Sequence, residues 1–289
     1  MKVRKAIITA AGRGTRFLPV TRSQPKEMLP LVNKPLIQYA VEEAINSGIE
    51  QVILITAMGK HAIEDYFDRY FELEYVLEQK GDTKMLQEMR RLSNLIDICY
   101  IRQKEQLGLG HAVLIARNVI ADEPFAVLLP DDIIDSRVPA LKQMLDVYQQ
   151  RGASVVAVER VNARDTAKYG IIEPKEISHR LYKVLSLIEK PPPQEAPSNL
   201  GIVGRYVLAP EVFDALAATP PGRIKEIQLT DALQLLLKQH AINACEFEGV
   251  RYDTGTPSGW LEATIALALK DPDIGPGLRK YLDKLLRGH

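Results

Sequence analysis

The sequence predicts an α/β fold: a mostly parallel, Rossmann-like central sheet with helices on both faces and a small additional β subregion. Three observations carry that expectation. Short β-branched runs alternate with longer helical patterns, the order that builds parallel sheets. The 289 residues are 46% apolar and 26% charged, ordinary values for a chain that can bury its own core. The first strand-like run ends in a glycine loop, and open parallel sheets hold their ligands beyond the carboxyl ends of their strands.

Taken in order, Val3–Ala10, Gln51–Thr56, Ile96–Arg102, Phe125–Leu129 and Ser154–Glu159 read as strands. Pro35–Ser47, Lys60–Tyr70, Gly110–Asn118 and Pro139–Gln150 read as the helices between them. The charged stretch Phe71–Asn94 breaks at Gly81-Asp82, where Asp82 can cap a second helix. Met85, Met89, Leu92 and Ile96 then share one helical face, so the stretch reads as an inserted helical hairpin packed by that stripe. From Gly170 the strands shorten to Gly170–Glu173, Leu181–Glu189 and Asn199–Tyr206. Lys190-Pro191-Pro192-Pro193 separates the last two as an extended loop. Helices return at Glu211–Ala218, Gln228–Gln239, Ser258–Lys270 and Gly277–Arg287. Linker signals are weak, so residues 1–289 are expected to form one domain, with 271–289 as a C-terminal helix.

Charge and cysteine content narrow the function classes. Lys plus Arg and Asp plus Glu both number 37, so no global charge favours nucleic acid or an anionic membrane. No apolar run is long enough to span a bilayer, and the N-terminus does not read as a secretory signal. Cys99 and Cys245 lie in apolar, strand-like runs and read as buried, reduced thiols, which suits a cytoplasmic protein.

The first strand runs into Ala10-Ala11-Gly12-Arg13-Gly14-Thr15-Arg16. Glycines after a strand let backbone N–H groups approach phosphates, although such a loop alone also fits a plain tight turn. There is no Gly-Lys-Ser/Thr, so it is not a P-loop, and Phe17 stands where a dinucleotide fingerprint needs its third glycine. Pro19 comes too early for a helix directly out of the loop. Further along, Leu128-Leu129-Pro130-Asp131-Asp132 is a buried strand ending in two acids, where an open sheet places a metal ligand. Either Asp131 or Asp253 taken alone would more often be a helix cap or turn residue. Gln103 alone fits an exposed polar residue, and His111 alone fits capping or packing near a helix start.

The whole block from Ala10 to Ile37, with Pro25-Lys26-Glu27-Met28-Leu29-Pro30 and Asn33-Lys34-Pro35-Leu36-Ile37, resembles the signature of the sugar-1-phosphate nucleotidyltransferases. The hairpin insertion and the residue after Lys26 look most like the family's uridylyltransferase branch. The resemblance runs to about residue 270, and it implies transfer of a uridylyl group from UTP to α-D-glucose 1-phosphate, giving UDP-glucose and pyrophosphate. The same motifs would serve dTTP with glucose 1-phosphate. A non-catalytic sugar-nucleotide sensor on this fold is a third possibility, disfavoured by the full set of charged residues.

By the same resemblance, residues 1–135 would form the nucleotide half and 136–270 a sugar-phosphate half with the small, sugar-facing β subregion. Ala10, Ala11, Gly12, Gly14 and Thr15 would hold the nucleotide, and Gln103 and the backbone at Gly108 would read the base, an amide offering both a donor and an acceptor. Asp131, together with Asp253 of Tyr252-Asp253-Thr254-Gly255, would bind Mg2+. Gly170, Glu189, Lys190, Asn199 and Ile202 would meet the sugar phosphate, from the Tyr-Gly, Glu-Lys-Pro and Ser-Asn-Leu-Gly-Ile-Val-Gly-Arg-Tyr motifs. Arg16, Lys26 and Lys190 would be the catalytic cations, and Glu226 to Ala232 would shape the pocket wall. The family also implies a homodimer or homotetramer. One departure is Pro257, where many uridylyltransferases carry a lysine nearby.

Overall fold

The computed structural model describes residues 1–222 and 225–287. In chain order the strands are β1 (Lys5–Thr9), β2 (Pro30–Leu31), β3 (Lys34–Pro35), β4 (Gln51–Thr56), β5 (Asp97–Arg102), β6 (Phe125–Leu128), β7 (Asp132–Asp135), β8 (Ser154–Arg160), β9 (Gly170–Ser178), β10 (Leu181–Glu189), β11 (Leu200–Leu208), β12 (Ile242–Glu246) and β13 (Val250–Asp253). The helices are α1 (Leu36–Asn46), α2 (His61–Phe67), α3 (Phe71–Gln79), α4 (Thr83–Ser93), α5 (Leu109–Leu114), α6 (Arg117–Ile120), α7 (Ala140–Arg151), α8 (Val212–Ala218), α9 (Leu229–Leu236), α10 (Pro257–Ala268) and α11 (Gly275–Arg287).

Nine strands form one sheet in the order β5-β4-β1-β6-β11-β8-β12-β10-β9. β1 is parallel to β4 and β6, β4 to β5, and β8 to β12, while β11 and β10 run against their neighbours. Most strands therefore point one way, and the expected α/β sheet is present. Side chains alternate across it, as a pleat requires. Ile7, Ile53 and Val127 face α5, α8 and α9. Ala6, Ile8, Val52 and Leu54 face α1, α2 and α7. Helices thus cover both faces, and Phe125 stacks on Phe213 with ring centres 5.0 Å apart. The expected small β subregion is the β9–β10 hairpin, which closes back on β11 through Gly201 opposite Ile171.

Several details differ from the sequence expectation. The Gly110–Asn118 helix is divided into α5 and α6. β9 continues past Glu173 to Ser178, because its outer half pairs along β10 although it is exposed. Cys245 is buried in β12, which lies inside the sheet between β8 and β10. That burial, as expected for Cys245, pushes its thiol up to about 11, whereas Cys99 is free but only half-buried, not buried as the sequence suggested.

The hairpin insertion forms as α3 and α4, and the Asp82 carboxylate accepts the Met85 N–H at 3.0 Å. Its apolar stripe keeps Leu92 and the half-buried Met89, but Leu86 replaces Met85. Leu86 and Leu92 are buried, Met85 is exposed, and Ile96 lies beyond the helix end. Glu74 of α3 accepts from Arg69 at 2.7 Å and from Arg90 of α4 at 2.9 Å. Those hydrogen bonds hold its carboxyl at about 2, below its ordinary 4.5. A depressed acid stabilises the folded state fully above its unfolded pKa, and that contribution fades as pH falls through the folded value. Thermal melting should therefore show a loss of hairpin stability between about pH 4.5 and pH 2. Glu74→Gln should lower stability at neutral pH and flatten that window. An unchanged acid profile in Glu74→Gln would contradict this role.

Candidate active site

The centre of the site is built by two short strands that the sequence did not reveal. β7 and β13 pair antiparallel with Asp132 opposite Asp253. Their pairing brings two acidic loops from distant parts of the chain together. Thr254 ties the loops: its N–H and its hydroxyl both donate to the Asp131 carbonyl at 2.8 Å, and the residue is fully buried. The Gly255 N–H donates to Asp253 Oδ1 at 2.9 Å, and Arg16 Nη1 donates to the Gly255 carbonyl at 3.3 Å. A methyl group on Gly255 would stand 2.9 Å from Asp253 Oδ1, 3.1 Å from Asp131 Oδ2 and 3.3 Å from Arg16 Nη1. Both acids and Arg16 thus border one small space, kept clear because position 255 has no side chain.

Lys26 enters the same space, with Nζ 2.7 Å from Asp131 Oδ2. Burial alone would lower the lysine, but Asp131 and Glu27 outweigh it and hold the ammonium above its ordinary range. Burial would likewise raise Asp131, and Lys26 reverses that, holding the carboxyl below its ordinary range. Both groups are therefore charged at neutral pH. Lys26 is presented by a single 3-10 turn, Lys26–Met28. That turn is anchored underneath by Glu27, 1% exposed, which accepts from Lys60 at 2.6 Å. Burial pushes the Glu27 carboxyl up, against the pull of Lys60.

A deeper layer fixes the acids. Asp132 accepts from the Gly204 N–H at 2.9 Å and from Arg251 Nε at 2.5 Å. Arg251 also donates to Glu159 at 2.5 Å and to the Tyr169 hydroxyl at 3.4 Å. Its guanidinium lies 5.3 Å from the Tyr169 ring centre. Burial opposes its charge, but Asp132 and Glu159 win and hold Arg251 above even the ordinary arginine value. Arg205, 1% exposed, donates to the carbonyls of Leu129, Gly204 and Asp132 and to Glu43. Asp132 is therefore a buried anchor beside Asp131.

The expected nucleotide residues meet at a cavity of about 580 Å³ at the carboxyl ends of β1, β5 and β6. Ala11, Gly12, Thr15, Gln103 and Gly108 line it, as do Lys26 and Asp131. Ala10 lies in the buried floor behind it, with its N–H bonded to Ile55. Gly14 adopts the left-handed conformation, φ 65°, and its carbonyl accepts the Thr21 hydroxyl at 2.7 Å. No helix follows the loop directly; 3-10 turns carry the chain to α1, as Pro19 implies. Gln106 braces the loop, donating to the Ala11 carbonyl and accepting from Arg13, both at 2.6 Å. A larger depression of about 1200 Å³ lies at the opposite edge, around Met1, Asn46 and Gly152, and contains none of the expected site residues.

The expected sugar residues form a second group. Gly170 lies opposite Glu189 in the hairpin, and a methyl there would stand 3.3 Å from Glu189 Oε2 and 2.8 Å from Thr230 Oγ1. Lys190 Nζ lies 3.2 Å from Glu189. Asn199 is exposed before β11, whereas the Ile202 side chain belongs to the core. Tyr169 joins this group to the acids through Arg251. Sequence reasoning missed Arg251, Arg205, Thr254 and Gln106. The available signal was Arg251 two residues before Asp253, on the same face of a strand too short and polar to be read as one.

The chain is similar to known proteins along nearly its whole length. The nucleotidyl transferase family model matches residues 5–269. A UTP–glucose-1-phosphate uridylyltransferase from Bacillus subtilis is 51% identical over 285 residues, covering 99% of this chain and 98% of its own. A UTP-bound UGPase from Acinetobacter baumannii superposes with a TM-score of 0.91 at 39% identity, covering 98% of this chain and 99% of its own. A UDP-glucose pyrophosphorylase complexed with UDP-glucose superposes with a TM-score of 0.85 at 43% identity, covering 93% of this chain and 100% of its own. The chain therefore belongs to the nucleotidyl transferase family.

Proposed function

We propose that this protein transfers a uridylyl group from UTP to α-D-glucose 1-phosphate, giving UDP-glucose and pyrophosphate. The observation that carries the reading is the convergence of Arg16, Lys26, Asp131 and Asp253 on one space beside the cavity that holds the glycine loop and Gln103. The relatives named for UTP and UDP-glucose support the substrates.

A phosphate monoester is largely dianionic at neutral pH, so the glucose phosphate is already a nucleophile and needs no general base. One of its oxygens bonds to the α-phosphorus of UTP while the bond to the pyrophosphate oxygen breaks. What the protein must supply is positioning and relief of repulsion between anions. Lys26 faces the α-phosphate and the charge that develops there. Arg16 grips the departing pyrophosphate, for which its planar guanidinium offers paired donors. Lys190 steers the incoming phosphate, and Glu189 accepts sugar hydroxyls beside Gly170, Asn199 and the Ile202 backbone. Residues 1–135 carry the nucleotide side, 136–270 the sugar side, and 271–289 a closing helix whose last two positions lie outside the described residues.

Two carboxylates bordering a space without side chains suit Mg2+, which takes few protein oxygens and leaves the rest to water and phosphate. Asp131 and Asp253 would hold it, and it would neutralise phosphate charge. A cytoplasmic compartment fits the two free thiols. Among the described residues, no helix is long and apolar enough to cross a membrane. A homodimer or homotetramer would cover the exposed Tyr281, Leu285 and Leu286 of α11.

Phosphorus NMR of the protein with UTP, glucose 1-phosphate and MgCl2 should show UDP-glucose and pyrophosphate growing together. Asp131→Asn and Asp253→Asn should each leave the spectrum nearly static. An unchanged spectrum with the parent protein would overturn the reading.

A further inference from the structure

We infer that His111 is a positioning residue that sets which base the cavity accepts, by fixing the direction of the Gln103 amide. The inference rests on the uridylyl-transfer reading. Gln103 is 4% exposed, and its backbone N–H is tied to the Thr56 carbonyl at 2.8 Å. Its side-chain nitrogen lies 3.3 Å from the Gly108 carbonyl and 2.9 Å from His111 Nδ1. The carbonyl can only accept, so the amide nitrogen must be the end that faces it; a reversed amide would set two oxygens against each other. The second amide proton then goes to His111 Nδ1, which must be the unprotonated nitrogen of a neutral ring.

Both donors of the amide are thereby used inside the protein. Its oxygen has no donor among the described residues, and it is not sealed in: the sole enclosed, unpartnered side-chain oxygen there is Glu27 Oε1. Gln103 lines the nucleotide cavity, so it shows that cavity a pure acceptor. The frame holding this arrangement is stiff. Gly108 has φ 95°, and a methyl there would stand 2.8 Å from Glu226 Cβ and 2.9 Å from the Ile227 carbonyl. Leu107 and Gly110 are bonded to the Ile227 backbone at 2.7 and 2.8 Å.

An acceptor at this point suits uracil, whose ring N3–H is a donor, and opposes cytosine, whose N3 is an acceptor. This differs from the sequence expectation of an amide offering both kinds of group to the base. Without the histidine acceptor, one of the two restraints on the amide is gone, and the reversed amide that suits cytosine becomes accessible.

The test compares parent, His111→Leu and His111→Asn, each first checked for folding by thermal melting. kcat and KM are measured with UTP and with CTP. Asn places an acceptor where Nδ1 stood. His111→Leu should raise KM for UTP more than it lowers kcat and cut the UTP-over-CTP preference about tenfold, the scale of one buried hydrogen bond. His111→Asn should restore most of that preference. A folded His111→Leu with the parental preference would overturn the inference while leaving uridylyl transfer intact. A parent that does not use UTP would instead overturn the reading beneath it. Nitrogen NMR of the parent's imidazole gives a check independent of any variant: the Nε2–H tautomer supports the assignment, and an Nδ1–H tautomer refutes it.

Discussion

Replacing Lys26 by alanine is expected to cut turnover about a hundredfold, a loss of ~3 kcal/mol of transition-state stabilisation, while the protein stays folded. The size comes from position. Lys26 is the cation closest to Asp131, and in the proposed reaction it meets the charge that develops on the α-phosphate. The fold should survive because Lys26 belongs to a one-turn segment held separately by the Glu27–Lys60 pair. The sheet and its two apolar layers do not depend on it. Steady-state rates with UTP and glucose 1-phosphate, beside a melting curve, check both halves. Near-parental turnover in a folded Lys26→Ala protein would remove the residue from the reaction.

Arg251→Leu should act on stability first and on activity as a consequence. Arg251 is the counter-charge to Asp132 and Glu159 at a site where it is almost wholly buried. Removing one partner of a buried ion pair leaves an uncompensated charge, at a cost of about 3–5 kcal/mol. The register places Asp132 opposite Asp253, so the strand pairing that presents the site carboxylates should loosen too. Urea unfolding should show the midpoint fall. Adding Asp132→Asn should return part of the loss, because its amide oxygen can still accept from Gly204 while the buried charge is gone. An unchanged midpoint in Arg251→Leu would contradict the account of this layer.

The main sheet was legible because its central strands are continuous apolar runs, as in Gln51–Thr56, and its outer strands interleave apolar with polar residues, as in Leu181–Glu189. Gln51–Thr56 and Leu181–Glu189 form with the bounds the sequence suggests. β7 and β13 were not legible. Each is four residues long, rich in acids or arginine, and stable only through pairing with the other. The site shows the same division. Arg16, Lys26, Asp131 and Asp253 could each be named through the family resemblance of their motifs, but their meeting depends on that hidden pairing and on Thr254 tying the two loops. His111 lies eight residues from Gln103, and nothing in the spacing shows that the loop folds back to bring Nδ1 onto the amide.

The most direct measurement is pyrophosphate release by the purified protein with magnesium and glucose 1-phosphate, supplying UTP, dTTP, CTP, ATP and GTP separately. The acceptor presented by Gln103 predicts kcat/KM about tenfold or more higher for UTP than for CTP, and the proposed function, rather than the amide, predicts UTP above dTTP. A higher value with another nucleotide, or no release with any, would contradict uridylyl transfer at this site.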